Sequence, residues 1–366
     1  MSNMFYFTIS IIFLVTLSLA FIPYWTRKTE NFGVSIPASQ YNRSDFKAMR
    51  KKYTTSLVII NLILFSILII ASFKLQESTI IILFNCVIVI YIIFTFLFYL
   101  PFHFQMKKIK EKENWHEELK QTIVIDPKFR NEKLVISHYW YIIPAIITIF
   151  TFLFTWFVYE NIPAQVPTHT SFSGEVTYNE KTIGNVFMLP FTQLFIIGLF
   201  FGIHFIIKFS KQQISSDNPK VSKQQNIIFR RRMSLFLFVT CTVMTLMFLF
   251  MQLTIVYQTL LQYQEFVVFL SVTFVMLGVI VLSVTTGQGG SRVKIPHEEN
   301  RPQIERDDDR YWKLGQFYFN KNDPSIFVEK RFGIGWTNNW AHPLSWIFII
   351  VIIALAIGLP IIINLL

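Results

Sequence analysis

The sequence predicts an all-α integral membrane protein, a polytopic bundle of about eight transmembrane helices, with a short β-hairpin in the last cytosolic loop and a candidate second hairpin in the outer loop. Three observations predict it. The chain is 53% apolar with a mean hydropathy of +0.46, above the composition of ordinary soluble domains. Its apolar residues gather into blocks of about 20, the length an α-helix needs to cross roughly 30 Å of hydrocarbon. Lysine and arginine alternate between rich and poor connections along the chain.

The blocks run Met4–Tyr24, Ser56–Phe73, Thr79–Leu100, Tyr139–Tyr159, Val186–Ile207, Met233–Tyr257, Glu265–Thr285 and Leu344–Leu366. Hydrocarbon offers the backbone no outside hydrogen-bond partner, so each block reads as helix despite its β-branched residues. The first lacks a basic segment before it and a small-residue cleavage site after it, and is expected to remain as a span rather than leave as a signal peptide.

Of the 33 lysines and arginines, only Lys74 and Lys181 fall outside four segments, Arg27 to Lys52, Lys107 to Lys133, Lys208 to Arg232 and Arg292 to Arg331. The positive-inside rule places those four segments in the cytosol and both termini outside a cell membrane. A net charge of +11 would suggest nucleic acid in a soluble chain. Here topology and anionic inner-leaflet lipid account for it, so lipid is an expected partner and nucleic acid is not. Cys86 and Cys241 both lie inside spans and read as packing residues, without disulfide or metal-ligand spacing.

Four parts follow: residues 1–138, a three-helix region with basic loops; 139–285, a membrane region with the outer loop; 286–343, cytosolic; and 344–366, the last span. Lys74 to Ser78 and Gln258 to Gln264 are short enough to make their flanking spans antiparallel hairpins. Ile109 to Gln121, with Trp115 and Leu119 among Lys and Glu, fits either a helix on the inner membrane face or a plain solvated helix. In the last cytosolic loop, Phe317 to Phe319 and Ile326 to Phe332 flank the turn-rich Asn320-Lys321-Asn322-Asp323-Pro324 and read as one hairpin. Its aromatics, with Tyr311, Trp312 and Trp336, have to bury against the bundle or the lipid interface, because a lone two-stranded hairpin is marginal in water. Outside, Glu175 to Tyr178 and Lys181 to Ile183 flank Asn179-Glu180 as the second hairpin.

The candidate site residues lie mainly in these loops. Pro163 and Pro167 hold the outer chain extended, His169 follows near the surface, and Gly174, just before Glu175, permits a tight reversal. A histidine titrating near 6.5 suits pH sensing, a ligand or a metal. The plainer alternative is a hydrogen bond within the loop, and one histidine with Glu160, Glu175 and Glu180 does not define a zinc site. Inside, Asp307-Asp308-Asp309 precede Arg310, Tyr311 and Trp312; a cap on the next segment is a simpler role than metal binding. Arg310, Lys330 and Arg331 are their neighbouring charges, available to those aspartates, to lipid phosphate or to solvent. His297-Glu298-Glu299 has Arg301 where a zinc protease needs its second histidine, and prolines flank it. Within the spans Asn61, Asn85, Gln193, His204 and Gln252 are the notable polar groups. Interhelical hydrogen bonding is their default role, and a polar path through Gln193, His204 and Gln252 is the alternative. No common enzyme signature, cofactor motif or metal site is present, and a non-enzymatic role is expected.

Pro163, Pro167, His169 and Gly174, in order between two spans, resemble the bacterial DUF1648 domain, which also occurs in the Sdp immunity protein family; the resemblance covers roughly Tyr139 to Leu260. Asp308-Asp309-Arg310-Tyr311-Trp312, Gly315, Phe317-Tyr318, Asn320, Asp323-Pro324, Val328, Arg331 and Gly335-Trp336 resemble the DUF5808 domain. Together they are similar to two-domain membrane proteins of Gram-positive bacteria. By analogy with the immunity family, the resemblance implies a receptor, signalling or immunity role with an extracellular peptide or envelope ligand and a cytosolic protein partner. A small-solute or lipid-related permease is the alternative.

Overall fold

In the computed structural model, residues 3–75, 77–115, 129, 132–170, 175–213, 219–296 and 308–364 are described. Among the described residues, eight long helices carry the fold: α1 (Asn3–Ala20), α2 (Ser44–Ser72), α3 (Glu77–Lys112), α4 (Ile142–Phe157), α5 (Ile183–Phe209), α6 (Pro219–Val256), α7 (Gln264–Thr286) and α8 (Pro343–Asn364). Among the described residues, six segments, one on each of α2 to α7, are long and apolar enough to cross a bilayer; α1 and α8 contribute shorter apolar stretches, Ile9–Ala20 and Pro343–Leu355. The helices outrun the apolar blocks at one end. α3 continues through Pro101 to Lys112, and α6 begins fourteen residues before Met233.

α1 packs on α2 and α7, and α2 on α3; α4, α5 and α6 pack on one another, α8 lies on α5, and α7 joins α6 to α1. On α4, the buried Pro144, Thr148, Thr151 and Thr155 recur at helical spacing along one face. Ile146, Ile149, Phe150, Leu153 and Phe157 of the same helix are exposed, Phe157 by 79%. Such contiguous apolar surface is a lipid face, since water does not tolerate it at this extent.

Short strands decorate both ends. β1 (Glu30–Asn31) pairs with β2 (Val34–Ser35), and β3 (Gln165–Thr170) with β4 (Val176–Glu180). β5 (Trp312–Lys313) pairs with β6 (Phe317–Tyr318), and β7 (Phe327–Glu329) with β8 (Trp336–Asn338). The last loop thus holds hairpins as expected, but two of them with different partners. Leu314 and Gly315, at φ +52° and +68°, turn the chain directly after β5, so β6 folds back on β5 before reaching the expected turn. Asn320 to Pro324 is instead gripped by Asn339, whose amide donates to the Asn320 and Asp323 carbonyls at 2.9 and 3.1 Å. The outer hairpin also pairs differently, since the proline-held stretch is itself β3, with Gln165 opposite Glu180.

α5 spans 27 residues, about 40 Å at 1.5 Å per residue. Its start meets β3, and just past its end the Lys211 amide donates to the Phe327 carbonyl of the last loop at 3.1 Å. The β3–β4 hairpin and the last loop therefore sit at opposite ends of the bundle. Described residues of all four basic segments, Arg27, Lys110, Lys211, Arg230 and Arg331 among them, meet at the second end. Trp115 is buried there against Phe46, with ring centroids 6.0 Å apart, rather than facing lipid; residues 116–128 lie outside the described residues.

Candidate functional site: a buried charge clasp and an exposed hairpin

At the polar end, the loop from Asp308 to His342 inserts charged side chains between the α1–α3 half and the α5–α6 half. Arg331, 3% exposed, binds both Asp308 and Asp309. Asp309 also accepts from the Lys110 ammonium of α3 at 2.7 Å and from the Ser35 amide of β2 at 3.2 Å. The Arg331 guanidinium lies 5.2 Å from the Trp312 ring centre. One arginine thus gathers the loop's aspartates against β2 and α3.

The second knot is centred on Glu329, which is 1% exposed. Arg27 donates to one of its oxygens, and the Asn226 amide of α6 donates to the other at 2.7 Å. Arg230, wholly buried, approaches at 3.8 Å. Arg230 also caps α5, donating to the Ile207 carbonyl at 2.7 Å and the Lys211 carbonyl at 2.9 Å. A cation there meets the negative end of the helix dipole and satisfies carbonyls that the helix leaves unpaired.

Further bonds complete the clasp. Lys211 pairs with Asp323, which also accepts from the Tyr318 hydroxyl at 2.7 Å. Burial pushes the Asp323 carboxyl upward, but Lys211, Tyr318 and the Ser325 amide outweigh it and hold the group at about 2. Gln288 and Gly335 exchange two hydrogen bonds, 3.0 and 2.7 Å, as two strands would. The Tyr99 hydroxyl of α3 bridges the Phe32 and Leu314 carbonyls at 2.8 and 3.2 Å.

Glu30 of β1 is the exception within this network. It is buried beside Arg27, Arg331, Asp309 and Glu329, and its Oε2 has no hydrogen-bond partner among the described residues. Burial raises its carboxyl from the ordinary 4.5 to about 7, although both arginines pull it down. An acid raised in the folded state binds more protons folded than unfolded between those two values. Stability therefore falls as pH rises from 4.5 to about 7 and levels off above. Thermal unfolding of the solubilised protein is expected to give a lower midpoint at pH 7.5 than at pH 5, and Glu30→Gln to flatten that slope. An equal slope in both proteins would refute the assignment.

The predicted cytosolic residues divide. Asp308, Asp309, Trp312, Asp323 and Arg331 enter the clasp. Trp336 packs on Phe229 of α6 at 5.1 Å, and Gly335 pairs with Gln288. Arg310 stays exposed with its guanidinium 4.6 Å from the Tyr311 ring centre, and Pro324 and Lys330 are exposed. Asp308 stands at the head of the Asp309–Tyr311 turn but makes no capping hydrogen bond, because Arg331 takes its carboxylate. Asp307 and His297 to Glu299 lie outside the described residues. Sequence reading missed Arg27, Glu30, Lys110, Lys211, Arg230 and Glu329. Sequence order carried no signal for them, since most of the 22 acids fall within the basic segments and nothing local sets Glu30 and Glu329 apart.

At the opposite end, Val166 and Ile162 anchor the outer hairpin in a cluster with Val186 and Ile255. Pro163, His169 and Glu175 are exposed, and Pro167 is half-buried. The His169–Thr177 pairing follows a register shift after Pro167. Gly174 lies outside the described residues. Lys181 turns inward, donating to the Ile162 carbonyl at 3.2 Å, which leaves Glu160, Glu175 and Glu180 exposed around the hairpin. Within the spans, the Gln193 amide donates to the Thr245 carbonyl at 2.8 Å, and that of Gln252 to the Val186 carbonyl at 3.0 Å. His204 is buried with its ring centre 5.5 Å from that of Tyr141. All three lie in the α4–α5–α6 seam. Among the described residues, no group of three His, Cys, Asp or Glu side chains is placed to hold a metal.

Long apolar helices with lipid-facing surfaces and polar loops folded at their ends define a multi-pass α-helical membrane protein. Within it, the model of a domain of unknown function, DUF1648, matches residues 146–194, and that of a family of unknown function, DUF5808, matches residues 321–346. The chain carries both domains. The first takes in most of α4, the β3–β4 hairpin and nearly half of α5, a shorter stretch than the resemblance from Tyr139 to Leu260. The second takes in β7, β8 and the start of α8, and begins after the Asp308 to Trp312 run. No curated protein and no solved structure matches the chain.

Proposed function

We propose that this chain is a non-enzymatic cell-membrane receptor of the signalling or immunity kind. Its outer hairpin meets an extracellular peptide or envelope ligand, and its clasp couples to a cytosolic protein partner or steadies the bundle. The carrying observation is that the two motif-bearing regions sit at opposite ends, with His169 and Glu175 exposed on a hairpin that projects from the bundle. With the basic segments at the other end, the positive-inside rule orients the hairpin outward, together with both termini. The exposed carboxylates Glu160, Glu175 and Glu180 suit a cationic ligand.

The test is a deletion strain challenged with secreted peptides and envelope stresses, scored for sensitivity and transcriptional response, and complemented with variants. His169→Ala and Gly174→Val are expected to abolish ligand-dependent protection or signalling while the protein remains in the membrane. Unchanged protection by both variants would overturn this reading. The permease alternative draws on Gln193 and Gln252, whose buried Oε1 atoms, like Nδ1 of His204, have no hydrogen-bond partner among the described residues. Solute uptake lost in Gln193→Leu with His169→Ala unaffected would favour it.

A further inference from the structure

The β5–β6 hairpin sorts its apolar side chains to two sides. Trp312 and Tyr318 bury against Val328, whereas Leu314, Phe317 and Phe319 are 37, 40 and 41% exposed. Leu314 holds a left-handed backbone, φ +52°, a conformation unfavourable for a residue with a side chain. The tip is nonetheless pinned there by the Tyr99 hydroxyl at its carbonyl, so its backbone is fixed to α3 while its side chain points away.

This exposed face is continuous with the lipid-facing surface of the bundle. The Phe317 ring lies 6.0 Å from Phe96 of α3 and 6.2 Å from Trp340, which in turn lies 5.3 Å from Trp346 in the first turn of α8. Phe96 is near the end of α3's apolar run and Trp346 near the start of α8's, so the ring ladder marks the level where hydrocarbon gives way to headgroups. Lys313 and Lys321 flank it and are exposed. Rings at that depth bordered by ammonium groups are the composition of a surface seated in an anionic interface.

We propose that the β5–β6 tip is a membrane-seated wedge, with Leu314, Phe317 and Phe319 entering the headgroup–acyl boundary of an anionic leaflet and Lys313 and Lys321 meeting its phosphates. The loop that closes the clasp on one face thereby grips the bilayer on the other. This inference is independent of the ligand at the outer hairpin.

Its test uses the full chain with Cys86 and Cys241 replaced by serine, a spin label at Phe319→Cys, and a second label at Asn322→Cys as the exposed reference. The protein is reconstituted in phosphatidylcholine discs with and without phosphatidylglycerol. The expected result is a several-fold higher ratio of oxygen to nickel-chelate accessibility at 319 than at 322, rising further with phosphatidylglycerol. Lys313→Gln with Lys321→Gln is expected to remove that rise, and a thermal midpoint equal to the parent's shows that the pair still folds. Equal ratios at the two sites would overturn the proposal. So would dipolar broadening between labels at 319, which would place a second copy on this face, or protection of 319 from both reagents without lipid dependence, which would place another protein there.

Discussion

Replacing Glu329 by alanine is expected to lower the unfolding free energy of the solubilised protein by about 3–5 kcal/mol, the cost of stripping buried charges of their counter-ion. Its carboxylate is 1% exposed and holds Arg27 from the chain after α1 and Asn226 from α6, with the buried Arg230 close by. Without it, the Arg230 guanidinium keeps its bonds to the α5 carbonyls, but a positive charge remains in a region water does not reach. Glu329→Gln preserves an acceptor for Asn226 and loses only the charge, so its loss is expected to be smaller. Thermal unfolding in detergent measures both. A shift within about 0.5 kcal/mol for the alanine variant, the range of an ordinary surface substitution, would show that the clasp does not hold the halves together.

Alanine at Gly33 or Gly315 is expected to cost about 2–4 kcal/mol, adding left-handed backbone strain to overpacking. Both glycines have positive φ, +73° and +68°, and they face each other where the β1–β2 and β5–β6 turns meet Tyr99. The two costs differ in kind. A Cβ at Gly33 would sit 2.5 Å from both the Tyr99 hydroxyl and the Gly315 carbonyl oxygen, and 2.8 Å from the Gly315 Cα, and that backbone cannot swing away. A Cβ at Gly315 meets side chains instead, the Tyr99 hydroxyl and the His103 ring at 2.7 Å. Trimming His103→Ala, whose ring meets only the Gly315 position, is therefore expected to recover part of the loss for Gly315→Ala and none for Gly33→Ala. Equal rescue of both, measured by thermal unfolding against the trimmed parent, would contradict the turn-on-turn contact.

The two tests probe one idea, that the loop before α8 is a keystone. Arg331 and Asp309 tie it to β2 and α3, while Glu329, Asp323 and Trp336 tie it to Arg27, to the end of α5 and to α6. α5 and α6 reach from the β3–β4 hairpin to this loop.

Much of this was legible from residue types alone. Hydrocarbon-length apolar blocks become helices because lipid leaves the backbone no other partner, and the spacing of Lys and Arg already grouped four loops at one end. The proline-held outer stretch was readable as extended because proline fixes φ. Strand pairing was not: Asn320 to Pro324 has turn chemistry, yet the chain turns at Leu314-Gly315, because Tyr99, far away in sequence, holds that carbonyl. The clasp was equally hidden. Asp308 and Asp309 stand beside Arg310 in the chain but bind Arg331 and Lys110, and Glu30 and Glu329 meet only once α1, α3 and α6 are assembled. Local sequence thus determined the helices and the membrane character, which depend on solvent and covalent geometry. Tertiary structure decided which charges share a buried space, because desolvation and pairing act between groups that only folding brings together.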